Sequence, residues 1–195
     1  MEIRFGNIIL RDMIATDIDD YVRWFTTETE WTAWDAPWEP IDSDVATQRA
    51  DWMKYYESVK GLSDDTVRWK LEIEYNGKHI GWVCSYLIDE NYKWVSASDI
   101  KNRPAYFAIG IDICEMAVWG KGIGTNALQA FIQYLLDSGQ DELYLQTWSG
   151  NNRMLKCAAK LGFEVCNRIV GEREVNGQKY DGLTLVLKKS LFCGI

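Results

Sequence analysis

The chain has 195 residues, 47% of them hydrophobic, which is enough for one domain with a buried core and too apolar for a disordered segment. Its 29 acidic against 21 basic residues leave a net charge of -8, which argues against sequence-independent nucleic-acid binding, because that needs a basic footprint. Five scattered cysteines without a C-x-x-C pair and a lone histidine, His79, suggest no disulfide framework, zinc site or histidine-based triad, and no apolar run reaches the roughly 18 residues of a membrane span. A cytoplasmic protein with reduced thiols and no membrane or nucleic-acid partner is expected.

In chain order, Asn7 to Asp12 reads as a short strand, and Thr16-Asp17 can cap a helix with Ile18, Tyr21, Val22 and Phe25 on one face. Residues 28–42, ETEWTAWDAPWEPID, form a proline-bearing loop with three tryptophans. Ser43-Asp44 can start a second helix carrying Val45, Trp52, Met53 and Tyr56. VRWKLEIEY (67–75) and KHIGWVCSYLI (78–88) alternate around Asn76-Gly77, the strongest two-residue turn signal, and predict a hairpin. Residues 89–104 read as a polar loop or strand extension, and AYFAIGIDI (105–113) as a strand interrupted by Asp112. The glycine-rich 119–125 then opens a helix that Ser138-Gly139 stops.

ELYLQTW (142–148) is a further strand, Asn151 to Leu161 a short helix closed by Gly162, and 163–175 with 183–189 a terminal hairpin around Asn176-Gly177. No repeat or linker divides the chain. The expected architecture is one mixed α/β domain over residues 1–195, built on a mostly antiparallel sheet.

The segment W-G-K-G-I-G-T (119–125) carries the chemistry. Helix N-terminal N–H groups are unpaired and aligned with the helix dipole, so glycines that admit a phosphate make that end an anion site. No Gly-Lys-Ser/Thr closes the loop and the G-x-G-x-x-G spacing is absent, so neither a Walker loop nor a dinucleotide fold is indicated.

Together with the strand before it, the strand after it and N-N-R-M-L-K-C-A-A-K-L-G-F (151–163), this loop resembles the GNAT superfamily of acetyl-coenzyme A dependent N-acetyltransferases, within its RimJ/RimL-like branch. The resemblance implies a splayed, mostly antiparallel sheet flanked by helices, and acetyl-coenzyme A as cosubstrate with no metal. By the family pattern the amides of Lys121, Gly122, Ile123, Gly124 and Thr125 cradle the diphosphate. Met116, Ala117 and Val118 run beside the pantetheine arm, and Asn151 lies near the thiol end. Trp119 departs from the usual Gln or Arg.

The family's common catalytic Glu is Ala108 here, and its common Tyr is Ala158. Asp112, four residues on and on the same strand face, is the leading substitute base, with Glu115 second. No proton donor is assigned: Cys157 adjoins the missing tyrosine, and Tyr106, Tyr144 and Trp148 stay open. The resemblance places the 28–42 loop at the acceptor site, where Trp34, Trp38 and Glu39 are expected to select a cationic amine. Polyamines, amino sugars including aminoglycosides, and protein N-termini or lysines all fit. The missing Glu and Tyr motivate an alternative, a catalytically weakened acetyl-coenzyme A sensor or interaction module, and a nucleotide-phosphate module is a third reading. A homodimer through the terminal strands is left open.

Overall fold

Asn76 (φ 51°) and Gly77 (φ 74°) both occupy the left-handed region that a tight hairpin turn requires. They join β3 (Lys70–Tyr75) to β4 (Lys78–Ile88), and Asn176-Gly177 joins β8 (Glu164–Val175) to β9 (Gln178–Lys188) with nearly the same angles. The computed structural model describes residues 1–100 and 104–192. Its remaining strands are β1 (Glu2–Phe5), β2 (Ile8–Arg11), β5 (Trp94–Val95), β6 (Tyr106–Ile113) and β7 (Glu142–Trp148). The helices are α1 (Asp17–Thr26), α2 (Val45–Val59), α3 (Ile123–Asp137) and α4 (Asn152–Lys160).

One sheet runs in the order β1-β2-β3-β4-β6-β7-β9-β8, with β5 on β4. Every pairing is antiparallel except β6 with β7. The mixed α/β, splayed and largely antiparallel sheet expected from the sequence is therefore present.

Helix α3 is apolar where it meets the sheet: Leu128, Phe131, Ile132 and Leu135 are fully buried against Ile73, Val83, Ile109 and Leu145. Burying each such side chain contributes about 1.5–3 kcal/mol. Gly139, at φ 100°, ends the helix. Helix α4 packs on this same face; the Asn151 side chain accepts from Met154 N–H at 3.0 Å, and Gly162 at φ 87° lets Phe163 N–H reach Ala158 O. Helices α1 and α2 cover the opposite face, where Trp82 of β4 meets Tyr21, Trp24, Trp31 and Trp52.

The strand expected at Asn7 to Asp12 is present as β2, and Gly6 at φ 60° turns the chain back to it from the unexpected β1. Three local expectations need correction. The Thr16 side chain makes no cap; Asp17 instead accepts from Ile14 N–H and pairs with Arg11 through both oxygens. In α2, Val45 and Met53 are exposed and the buried residue is Gln48, whose amide reaches Asp42 O and whose carbonyl accepts from Trp52. Strand β3 starts at Lys70, three residues later than the alternation suggests, because Arg68 is drawn into hydrogen bonds with Asp12.

Candidate active site

The parallel strands β6 and β7 face each other only through Phe107–Leu143, Ala108–Tyr144 and Ile109–Leu145. Beyond that point β6 stays paired with β4 as far as Ile113, and β7 with β9 as far as Trp148, so the sheet opens into a wedge. Cys114 N–H donates to Ile80 O on the β4 side, and main-chain groups alternate along a strand. Even-numbered residues of β6 therefore turn their main-chain groups to β4. Ile111 and Ile113 turn theirs into the wedge, where Ile113 O accepts from the Trp119 indole at 2.7 Å. Ile111 N–H faces the gap.

Five consecutive amides lie at one end of this gap. Gly120 (φ 76°) and Gly122 (φ 79°) swing the chain into α3, and a Cβ at either would meet nothing within 4 Å. Gly122 caps the helix without a side-chain bond, and the first hydrogen bond closed onto it comes from Asn126 N–H. Among the described residues, the N–H groups of Lys121 to Thr125 have no acceptor. They form a positive-potential cradle with room for an anion. Gly124 serves packing as well, since a Cβ there would touch Ile113 Cδ1 at 3.4 Å.

A cavity of about 770 Å³ threads the wedge from this cradle to the α1/α2 face. Val118, Gly122, Ile123, Gly124, Thr125 and Asn151 line it, as does Asp112. Asp112 stands opposite Trp82 across β4 and β6. Burial pushes its carboxyl well above the usual carboxylate range; the negative charge of Asp35 adds to this, and Lys70 opposes it. Lys70 Nζ lies 4.2–4.4 Å from the ring centres of Tyr21, Trp52 and Trp82, and its burial lowers its own pKa. Burial likewise pushes the neighbouring Cys84 thiol up to about 12. The surroundings thus favour uncharged groups, and a carboxylate here is a better proton acceptor than one in water.

The other expected site residues are distributed differently. Glu115 does not line the cavity; it accepts from Arg23 (2.7 Å) and the Trp24 indole (3.1 Å). Met116, Ala117 and the Lys121 side chain are exposed and lie outside the cavity lining. Asn151 is committed through both side-chain atoms, capping α4 and donating to Trp34 O. Trp34 lines the cavity, but Arg153 sits 4.3 Å from its ring centre and equally far from Trp119, so a guanidinium lies between the two indoles. Trp38 lines a second cavity of about 310 Å³ and carries Arg173 on its ring at 4.6 Å. Glu39 is exposed and lines neither cavity.

Of the open proton-donor candidates, Cys157 lines the main cavity, where its thiol donates to Thr125 Oγ1 and burial raises its pKa. Tyr106 and Tyr144 pack together away from that cavity, and Trp148 borders the second one. Asp35, which the sequence offers with Glu30 and Glu39 as charge for a cationic acceptor, lines the cavity, as do Gln146 and Arg153, which become visible only once β7 and α4 converge on the wedge.

His79 lies outside the cavity in an ion-pair network. Its Nδ1 donates to Asp20 at 3.1 Å and its Nε2 to Glu72 at 3.0 Å, while Tyr21 OH donates to Glu72 at 2.6 Å. Burial opposes the imidazolium, but the Asp20 and Glu72 bonds and the charges of Glu72 and Asp17 outweigh it and hold the pKa at about 9. Atoms of Asp17, Asp20 and His79 lie within 4.8 Å of one another, as metal ligands would. Both oxygens of Asp17 already hold Arg11, so the set reads as a charge network. Among the described residues no helix is long and apolar enough to cross a membrane.

Residues 7–164 match the family model described as an acetyltransferase (GNAT) domain. No curated protein sequence matches the chain. Among solved structures, the chain is similar to a ribosomal-protein-S5-alanine acetyltransferase from Vibrio fischeri, with a TM-score of 0.71 at 16% identity over 98% of each chain. It is also similar to Mycobacterium smegmatis RimJ in complex with a coenzyme A disulfide (TM-score 0.70, 16% identity, 97% of this chain and 87% of that one). A GNAT-family acetyltransferase from Bacillus anthracis gives a TM-score of 0.68 at 11% identity, covering 97% of this chain and 99% of that one.

Proposed function

The chain belongs to the GNAT acetyltransferase family, and on that premise we propose that it moves the acetyl group of acetyl-coenzyme A to a primary amine by direct attack, as a member of the RimJ/RimL-like branch. The observation that carries this is the run of five unpaired amides, Lys121 to Thr125, at the mouth of the β6–β7 wedge. Likeness in fold to the S5-alanine enzyme and to RimJ supports the branch.

Acetyl-coenzyme A supplies an activated acyl group, its thioester. The residues present suit it: the amides of Lys121, Gly122, Ile123, Gly124 and Thr125 take the diphosphate, and no side chain obstructs Gly122. Val118, with Met116 and Ala117 beside it, borders the pantetheine arm, and Asn151 fixes the α4 end near the sulfur. Ile111 N–H donates to the thioester oxygen from the open edge of β6. Asp112, directly or through a water, takes the ammonium proton; the C–N bond then forms, the C–S bond breaks, and the second proton, left on the nitrogen of the adduct, goes to the departing sulfur so that coenzyme A leaves as the thiol. Glu115, held by Arg23 and Trp24, is the weaker candidate base. Holding amine and thioester in register contributes most, with acid–base help worth about 10²- to 10⁴-fold.

The acceptor approaches on the α1/α2 face, where Asp112 and Asp35 meet its positive charge. Trp34 and Trp38 shape that approach from their arginine-stacked positions rather than as open cation cages, and Glu39 adds surface charge at the rim. Thiol release from acetyl-coenzyme A over a panel of primary amines tests the reading. Turnover on at least one amine is expected, whereas coenzyme binding without turnover on any would leave the sensor alternative standing.

A further inference from the structure

The second cavity shares Asp35, Gln146 and Thr147 with the main one, so the two meet at the wedge. It lies on the face that carries Asp112: Gln146 donates to Thr184 Oγ1 and to Tyr92 O there, and accepts from Tyr86. Its charged lining residues are Asp35, Lys93, Glu172 and Arg173, two of each sign, unevenly placed. Asp35 belongs to both cavities and so marks the wedge end, while Lys93, Arg173 and Glu172 line the second alone and leave it net positive. A ligand stretched along this space meets negative charge near the thioester and positive charge away from it.

Arg173 is held in a specific pose. Its guanidinium lies 4.6 Å from the Trp38 ring centre, and its Nε is 3.5 Å from Glu172 Oε2. The Glu172 carboxylate lies over the β9 backbone at Gly182, where the absence of a Cβ leaves it room: one there would fall 1.6 Å from Glu172 Oε2 and displace it. One face and the Nε edge of the guanidinium are thereby occupied. Among the described residues its two terminal nitrogens make no hydrogen bond, and they form the fork that suits a carboxylate. Arg173 lies on β8, beyond residue 164 where the family match ends.

Resting on the acetyltransfer reading above, we propose that the acceptor is zwitterionic: a short peptide or ω-amino acid, long enough that its amine lies at Asp35 and Asp112 while its carboxylate is bound by the Arg173 fork, with Lys93 adding charge. The Trp38 and Trp148 rings, 6.1 Å apart and edge to face, border the space between the two ends and take an apolar side chain. Polyamines lack the anionic end and are the disfavoured class.

The test compares dipeptides and ω-amino acids, their carboxamides and the corresponding decarboxylated amines as acceptors, with wild type, Arg173→Gln and Arg173→Lys, each checked by thermal melting. Wild type should favour the carboxylate-bearing member by about 10- to 100-fold in kcat/KM. Arg173→Gln should remove that preference through KM, and Arg173→Lys should retain part of it. Equal or better use of decarboxylated amines or polyamines by wild type, or a preference that survives Arg173→Gln, would overturn the proposal. If no amine turns over at all, the acetyltransfer reading fails separately. Carboxylate recognition is then read by calorimetry of the same dipeptides, ω-amino acids and amides against the coenzyme A-loaded protein: carboxylate-dependent binding lost in Arg173→Gln upholds it, and no such dependence overturns it.

Discussion

Ile109 and Leu145 are the last residues that face each other across the parallel strands β6 and β7. One residue later the strands part, and everything assigned to the site lies beyond that pair: Ile111 N–H in the gap, Asp112 on one face and the α3 cradle at its mouth. Parallel pairing ordinarily runs on through both strands. Ending it after three partners leaves main-chain donors free of the ladder yet rigidly held by β4 and β9 on the outer sides.

The cradle predicts a charge effect at Gly122. Gly122→Asp places a carboxylate beside the five free amides and should weaken coenzyme A binding by on the order of 100-fold or more by calorimetry. Asn also tolerates a positive φ, so Gly122→Asn serves as the folded control and should lose much less. Equal affinities for the two variants would remove the loop from the coenzyme site.

Asp112 predicts opposite changes in rate and stability. Its carboxyl titrates higher in the fold than in the unfolded chain, so the native state holds an extra proton and loses stability as pH rises above the ordinary carboxylate value near 4. Asp112→Asn should therefore melt higher than wild type at neutral and alkaline pH while lowering kcat by about 10²- to 10⁴-fold. The rising limb of the wild-type pH–rate profile should vanish with it. A variant with both the limb and the rate intact would exclude Asp112 as the base.

For Glu115, its bonds to Arg23 and Trp24 on a partly exposed surface predict a structural effect only. Glu115→Gln should keep the shape of the pH–rate profile and cost at most about 1 kcal/mol in denaturant unfolding. Loss of the rising limb in this variant would make Glu115 the base.

His79 makes stability pH-dependent in a separate window. Its pKa is about 9 in the fold against the ordinary histidine value of 6.5, so its contribution is complete below about 6.5 and is lost as pH rises through 9. His79→Gln should destabilise the protein at pH 6 by about 3 kcal/mol, since Glu72 and Asp20 lose a buried cationic partner. It should also flatten the fall in melting temperature between pH 6.5 and 9. An unchanged slope in that interval would show that the imidazole is neutral in the native state.

Elements whose cause is local were legible in the sequence. Both Asn-Gly turns and the α3 stripe follow from backbone angles and helical spacing, and Asp112 follows from the two-residue period of a strand. Strand β1 escaped because its turn is Gly6-Asn7, the reverse of the strong turn order, and its four residues are too few to show a period. The rest of the site depends on partners far apart in the chain. Glu115 looked available until Arg23, 92 residues away, closed on it. Trp34 and Trp38 looked like open cation pockets until Arg153 and Arg173 occupied their faces.

A crystal structure of the protein with coenzyme A tests the central claim most directly. The account predicts the diphosphate against the amides of residues 121–125, and the sulfur inside the wedge past Ile109 and Leu145, within reach of Ile111 N–H. A coenzyme bound elsewhere, or strands β6 and β7 hydrogen-bonded beyond those two residues with the sulfur outside, would contradict it.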